Sequence, residues 1–181
     1  MLILPMPETI RTERLLIQRL RYEDAEEIFY TYASRDEATR FVAWPTHQNV
    51  DDTREFLRYA RQAWAFGSDY SYSVRLHNNR LVGSVGATNE NGKVQVGYIF
   101  GPLHWGQGYA TEACRALLVE VSKMKQVYRI GSFVDVENKA SIRVLEKCGM
   151  VEEARLPEWF RFVNQGDRPK ECALFRYIWG E

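Results

Sequence analysis

Residues 101–113, GPLHWGQGYATEA, set Gly106, Gly108 and Ala110 at alternate positions just ahead of a helical apolar stripe. Small residues in that pattern let successive backbone N–H groups close on one anion. The first amides of a helix have no intrahelical partners, and the helix dipole favours negative charge beside them. A strand, a small-residue loop and a helix start in that order make either a phosphate cradle or a tight strand-to-helix turn. The spacing alone leaves both open. Two common phosphate sites are excluded. No Gly-Lys-Ser/Thr follows, as a triphosphate loop requires. No Gly-x-Gly-x-x-Gly with a ribose-binding acid about 20 residues later is present, as a dinucleotide site requires.

The elements around this stretch are regular. Residues 13–20 predict a first strand, and 22–33 predict a helix through Ala25, Ile28, Phe29 and Tyr32. After the loop PTHQNV, Asp52 and Glu55 predict a capping box for a helix carrying Phe56, Leu57, Ala60, Ala63 and Trp64 and ending near Gly67. Three strands at hairpin spacing follow, 70–76, 80–88 and 93–100, joined by HNN and NENG turns. Gly97 inside the third predicts a bulge or a close backbone approach. Ala110, Ala113, Cys114, Leu117, Leu118, Val121 and Met124 mark a helix with Glu112 in its first turn and Lys123 and Lys125 at its end. A parallel strand is expected at 127–136, and a short helix at 138–149 between an Asn138 cap and Gly149. Strands at 151–163 and 169–179 close a single α/β domain spanning 1–181.

Composition sets bounds. Of 181 residues, 45% are hydrophobic and 27% charged, as in an ordinary globular protein. Lys plus Arg and Asp plus Glu number 24 each. That balance argues against a surface specialised for nucleic acid or an anionic membrane. Cys114, Cys148 and Cys172 are odd in number, widely spaced and set in apolar runs, so they read as buried free thiols of a reducing cytoplasm. With His47, His77 and His104 they show no metal-ligand spacing, and no metal is expected. The start, MLILPMPETI, lacks the charged flank and longer apolar run of a signal peptide, so the expected location is cytoplasmic.

Taken in order, the hairpin strands, GYIF, WGQGYATEA, the amphipathic helix and NKASIRVLEKCGM resemble the GNAT superfamily of acetyl-CoA-dependent N-acetyltransferases, over about residues 12–179. Within it the chain looks most like the branch of ribosomal-protein N-terminal acetyltransferases. The resemblance implies a mixed, mostly antiparallel twisted sheet, splayed where the fourth and fifth strands run parallel and flanked by helices. It implies acetyl-CoA as cosubstrate and a primary amine as acceptor: a protein N-terminus, or a small amine such as a polyamine. The family's diphosphate loop maps onto Trp105, Gly106, Gln107, Gly108, Tyr109 and Ala110, and the amides of 106–111, ending at Thr111, would hold the diphosphate. Trp105 stands where Gln or Arg is usual. Backbone of Ile99, Phe100 and Gly101 would pair with the pantetheine arm.

For catalysis the resemblance singles out Gln95, Tyr98 and Ser141. Many members of the branch carry a basic Glu where this chain has Gln95, which cannot take a proton at neutral pH. The family's Tyr acid is matched by Leu145, leaving Ser141 as the partner of the leaving thiolate. No side-chain base is identified, and proton removal by water is expected. Each candidate has a structural counterpart. Asn138 is a helix cap or a coenzyme contact. Ser141 lies on an apolar stripe, Tyr98 among core aromatics, and Arg143 and Lys147 are solvated charges or partners of the 3′-phosphate. His104 is loop surface or a base. Trp44 and Trp159 are cleft-wall candidates. Besides catalysis, a coenzyme-binding sensor with little turnover and a plain scaffold are left open, as are monomer and homodimer.

Overall fold

The computed structural model describes residues 2–180. Its strands are β1 Thr9–Arg11, β2 Leu15–Arg19, β3 Asp69–Leu76, β4 Leu81–Glu90, β5 Lys93–Phe100, β6 Arg129–Asp135, β7 Met150–Phe160 and β8 Lys170–Tyr177. Its helices are α1 Ala25–Ile28, α2 Asp36–Thr39, α3 Val50–Phe66, α4 Tyr109–Ser122 and α5 Lys139–Lys147. One sheet runs in the order β1-β2-β3-β4-β5-β6-β8-β7. Every neighbouring pair is antiparallel except β5 and β6.

Alternation along β5 assigns the two faces. Val94, Val96 and Phe100 enter the larger core with Ala113, Leu117 and Val121 of α4 and Ile142 and Leu145 of α5. Ile99 packs with the smaller core of Ile28, Tyr32, Leu57 and Ala60 on the α1 and α3 side. On that side a buried ion pair, Arg75 to Asp24 at 2.9 Å, joins β3 to the turn that opens α1. Arg75 also pairs with Glu27 of α1 at 3.0 Å, so one buried guanidinium ties β3 to both the opening turn and α1 itself.

The sequence pattern meets several local corrections. A short edge strand, β1, precedes the expected first strand, so the parallel pair is the fifth and sixth strands in chain order rather than the fourth and fifth. The helix expected over 22–33 divides into a 3-10 turn at Tyr22–Asp24, α1, and a π turn at Phe29–Ala33. There the Ser34 N–H and hydroxyl both donate to the Phe29 carbonyl, at 3.1 and 2.7 Å, and this widens the last turn. The capping box lies three residues upstream of Asp52–Glu55. Asn49 accepts from the Asp52 amide at 3.1 Å and Asp52 accepts from the Asn49 amide at 3.2 Å. No bulge occurs at Gly97, which faces Gly86 in an unshifted ladder; the irregularity lies at Val74/Arg75. β7 ends at Phe160, short of 163, and its register shifts at Glu152/Ala154 and Leu156/Phe160.

Gly83 is fixed by close approach. A Cβ there would lie 2.5 Å from the Ile99 carbonyl oxygen and 2.5 Å from the Phe100 ring. Gly83→Ala is therefore expected to destabilise the fold by about 1–3 kcal/mol, the usual range for overpacking, as measured by urea unfolding.

Candidate active site

The ladder between β5 and β6 covers only Lys93↔Arg129, Val94↔Ile130 and Gln95↔Gly131. Beyond Gln95, β5 continues on β4 alone while β6 continues on β8, and the sheet opens. The Gly101 amide donates to Val82 on β4 at 2.9 Å, which fixes the alternation: backbone groups of Gly97 and Ile99 also turn to β4. Tyr98 and Phe100 turn theirs into the opening. So of the three residues expected to offer backbone to a pantetheine arm, Phe100 faces the gap and Ile99 and Gly101 do not. Gly101 has both groups engaged, its carbonyl accepting from the His104 amide at 2.9 Å. Tyr98 supplies the second gap-facing residue instead.

The small-residue loop lies at the end of this opening. Gly106 (φ 72°) and Gly108 (φ 80°) are left-handed, which turns the chain into α4. Gly108 is the N-cap, no side chain caps the helix, and the amides of Tyr109, Ala110 and Thr111 form its first turn. A Cβ on Gly106 would meet nothing within 4 Å, whereas one on Gly108 would lie 3.3 Å from the Arg14 guanidinium. The Trp105 indole donates to the Phe100 carbonyl at 2.9 Å and ties the loop to the strand end. The loop is thus open, donor-lined and next to a helix N-terminus, which fits a diphosphate.

Sequence reasoning missed the residues that brace this loop. Arg14, just before β2, donates to the Gln107 carbonyl at 2.7 Å, covers the Tyr109 ring at 4.8 Å and pairs with Glu112 at 2.6 Å. Glu112 also accepts from the Thr12 hydroxyl at 2.6 Å and the Arg14 amide at 2.9 Å. Burial pushes the Glu112 carboxyl up, but these hydrogen bonds and the guanidinium outweigh it and hold it below the usual range. Nothing local in the sequence pairs positions 14 and 112; the contact comes from α4 crossing β2.

Tyr98 and Ser141 meet on the α4/α5 face. The Tyr98 hydroxyl is 2.7 Å from Ser141 Oγ and donates to the Ser141 carbonyl at 3.1 Å. Burial raises the phenol far above its ordinary value, so it stays protonated. Asn138 accepts from the Ser141 amide at 3.2 Å, capping α5 and holding Ser141 toward the strand. The expected cap is thus present, and it does not exclude a coenzyme contact by the same residue. Lys147 is exposed, and its carbonyl accepts from Arg115 Nε at 3.0 Å. Cys148 Sγ donates to the Thr111 carbonyl at 3.5 Å, which brings the end of α5 beside the first turn of α4. All three cysteines are buried and free.

Gln95 is exposed on the opposite face and does not join Tyr98 and Ser141. Flanking carboxylates there are committed: Asp69 accepts from the Thr88 hydroxyl at 3.0 Å and from Ser71, and Glu90 pairs with Lys93 at 3.4 Å. Also on this face, Phe133 packs on Phe160 at 5.2 Å, and Asp135 accepts from the Glu137 amide at 2.9 Å. Beyond them opens a cavity of about 880 Å³ lined by Asp36, Glu37, Arg40, Pro45, Thr46 and Asn164 among others. Of the two cleft-wall candidates, Trp44 stacks with Phe56 and does not line this cavity, and Trp159 lies exposed on β7.

The parallel pair is thus opened, with a donor-lined loop at one end and a cavity on the other face. The acetyltransferase (GNAT) domain model matches residues 14–151, and the chain belongs to that family. An uncharacterized N-acetyltransferase p20 of Bacillus licheniformis is 28% identical over 156 residues, 84% of this chain and 87% of that one. A GNAT-family acetyltransferase from Bacillus anthracis superposes with TM-score 0.82 at 25% identity, covering 94% of this chain and 98% of its own. A ribosomal alpha-N-protein acetyltransferase, RimL, in complex with coenzyme A gives TM-score 0.85 at 15% identity, over 94% and 98%. The protein is an acetyl-CoA-dependent N-acetyltransferase acting on an amine. Among the described residues no helix is long and apolar enough to cross a membrane.

Glu112→Gln removes the partner of Arg14, and the coenzyme A dissociation constant is expected to rise several-fold in calorimetric titration. The same carboxyl stabilises the fold above the ordinary Glu pKa, and that contribution is lost as pH falls through its lowered value. Wild type should therefore lose stability more steeply with acid than Glu112→Gln.

Proposed function

We propose that the acceptor is a free α-amino group at the N-terminus of a protein or peptide. The observation that carries this is Gln95: no carboxylate stands where relatives of the branch carry one, so the amine must arrive largely neutral. An α-amine with pKa of roughly 8 is about a quarter neutral at pH 7.5, whereas a lysine at about 10.4 is neutral roughly once in a thousand. The fold likeness to a ribosomal alpha-N-protein acetyltransferase supports the same choice.

In this assignment the amides of residues 106–111 hold the coenzyme diphosphate, and Lys147, beside the first turn of α4, meets its 3′-phosphate. The gap-facing Tyr98 carbonyl and Phe100 amide pair with the pantetheine arm. Acetyl-CoA supplies an activated acyl group. The Tyr98 amide, turned into the opening, serves as donor to the developing oxyanion. Ser141 Oγ donates a hydrogen bond to the departing sulfur, with the protonated Tyr98 phenol behind it, and the thiolate takes its proton from water. Gln95 orients the amine from the other face by hydrogen bonding, and the surplus ammonium proton passes to water. Holding both reactants in register across the opening supplies the main rate advantage.

Two measurements test this. Ser141→Ala should lower kcat about tenfold or more while the acetyl-CoA dissociation constant stays within twofold; unchanged kcat would reduce Ser141 to packing. In thiol-release assays at pH 7.5, a short peptide with a free α-amine should outpace an N-blocked lysine peptide and spermidine. Its kcat/KM should climb with pH and level near 8. Preference for spermidine, or a limb set near pH 6, would overturn the α-amine assignment.

A further inference from the structure

We infer that Asn164 is a positioning residue of this acetyltransferase, acting on the acceptor amine through a clasp between two loops. Asn164 lies in the segment joining β7 to β8, within the 3-10 turn Val163–Gln165. Its Nδ2 donates to the Thr39 carbonyl at 2.7 Å and to the Trp44 carbonyl at 3.0 Å, while its Oδ1 accepts from the Thr46 amide at 3.1 Å. Two carbonyls and one N–H surround the side chain, so only one orientation of the amide satisfies all three. Among the described residues, every hydrogen bond between 39–46 and 161–169 runs through this one side chain.

Both segments are otherwise built to be held rigid. Thr39 and Thr46 share a hydroxyl contact of 2.6 Å, and the His47 amide donates to the Ala33 carbonyl at 2.9 Å. On the other side, Gln165 donates to Asp135 at 3.2 Å, which anchors the loop to the last residue of β6. Buried Phe162 packs on Phe160 at 4.9 Å. Asn164 therefore bridges two braced walls of the 880 Å³ cavity. That cavity lies on the Gln95 face, across the sheet from Tyr98, Ser141 and the diphosphate loop. Its width sets how closely an acceptor approaches the opening, whereas the coenzyme side shares no hydrogen bond with the clasp. The effect should fall on one substrate only. This rests on the acceptor entering from the Gln95 face, as proposed above.

The test uses Asn164→Ala, Asn164→Asp and Val163→Trp in the full chain, assayed with whichever amine of the peptide, lysine-peptide and spermidine panel wild type turns over fastest. Asn164→Ala should raise the acceptor KM tenfold or more while kcat and the acetyl-CoA KM stay within twofold. Asn164→Asp keeps the Thr46 contact but sets a carboxylate against two carbonyls, and should raise it at least as much. Val163→Trp leaves the clasp intact and fills the cavity, so it should raise the acceptor KM alone. Parallel changes in both KM values, or none, would overturn the role of Asn164. If spermidine proves the fastest acceptor, the α-amine assignment fails while the clasp is still tested on spermidine.

Discussion

The site depends on two parallel strands that pair for three residues and then part. Up to Gln95 and Gly131, β5 and β6 are neighbours in an ordinary ladder. Beyond that point each keeps its other partner, so the backbone edges of Tyr98 and Phe100 are left without a strand. The Phe100 carbonyl is taken by the Trp105 indole, which leaves the Phe100 amide and both backbone groups of Tyr98, and unpaired backbone donors and acceptors inside a fold need partners. A ligand carrying amides of its own meets that need, and the small-residue loop at the strand end adds amides suited to a phosphate. Binding of an amide-bearing, phosphate-ended cosubstrate thus follows from one interruption in the sheet.

The same interruption separates the reactants. Even-numbered residues of β5 face α4 and α5, where Tyr98 finds Ser141; odd-numbered ones face α1 and α2, where Gln95 and Gly97 lie open. A thioester and an amine can therefore approach from opposite faces, each in its own chemical setting. The Tyr98 side is buried and keeps its hydroxyls protonated. The Gln95 side is polar and wet: the carboxylates nearest Gln95 are tied to Ser71, Thr88, Lys93 and the Glu137 amide, while Asp36 and Glu37 line the cavity beyond them. Such a division suits an acceptor that brings little charge and a leaving group that needs a proton.

Much of this was legible in the sequence because it is local. The apolar stripe from Ala110 to Val121, the Asn91-Gly92 turn, the Asn138 cap and the paired Gly106 and Gly108 are written in adjacent residues. What could not be read depends on distant chain segments meeting. Arg14 and Glu112 are 98 positions apart, and the three contacts of Asn164 span 118 to 125. The edge pairing of Ile99 and Gly101 follows from the β4 register, which no composition rule fixes to one residue. Two box spacings overlap here, Asn49–Asp52 and Asp52–Glu55, and local sequence does not rank them; the chain uses the first. The π turn at Phe29–Ala33 keeps the same apolar faces as an α-helix over one turn, so periodicity could not separate the two.

The most direct test is amide hydrogen exchange with and without saturating coenzyme A. Slowed exchange should concentrate at Tyr98, Phe100 and residues 106–111, with β1 to β3 unchanged. Saturable binding that leaves those amides as fast as in the free protein would contradict the assignment of the opening and its loop as the coenzyme site.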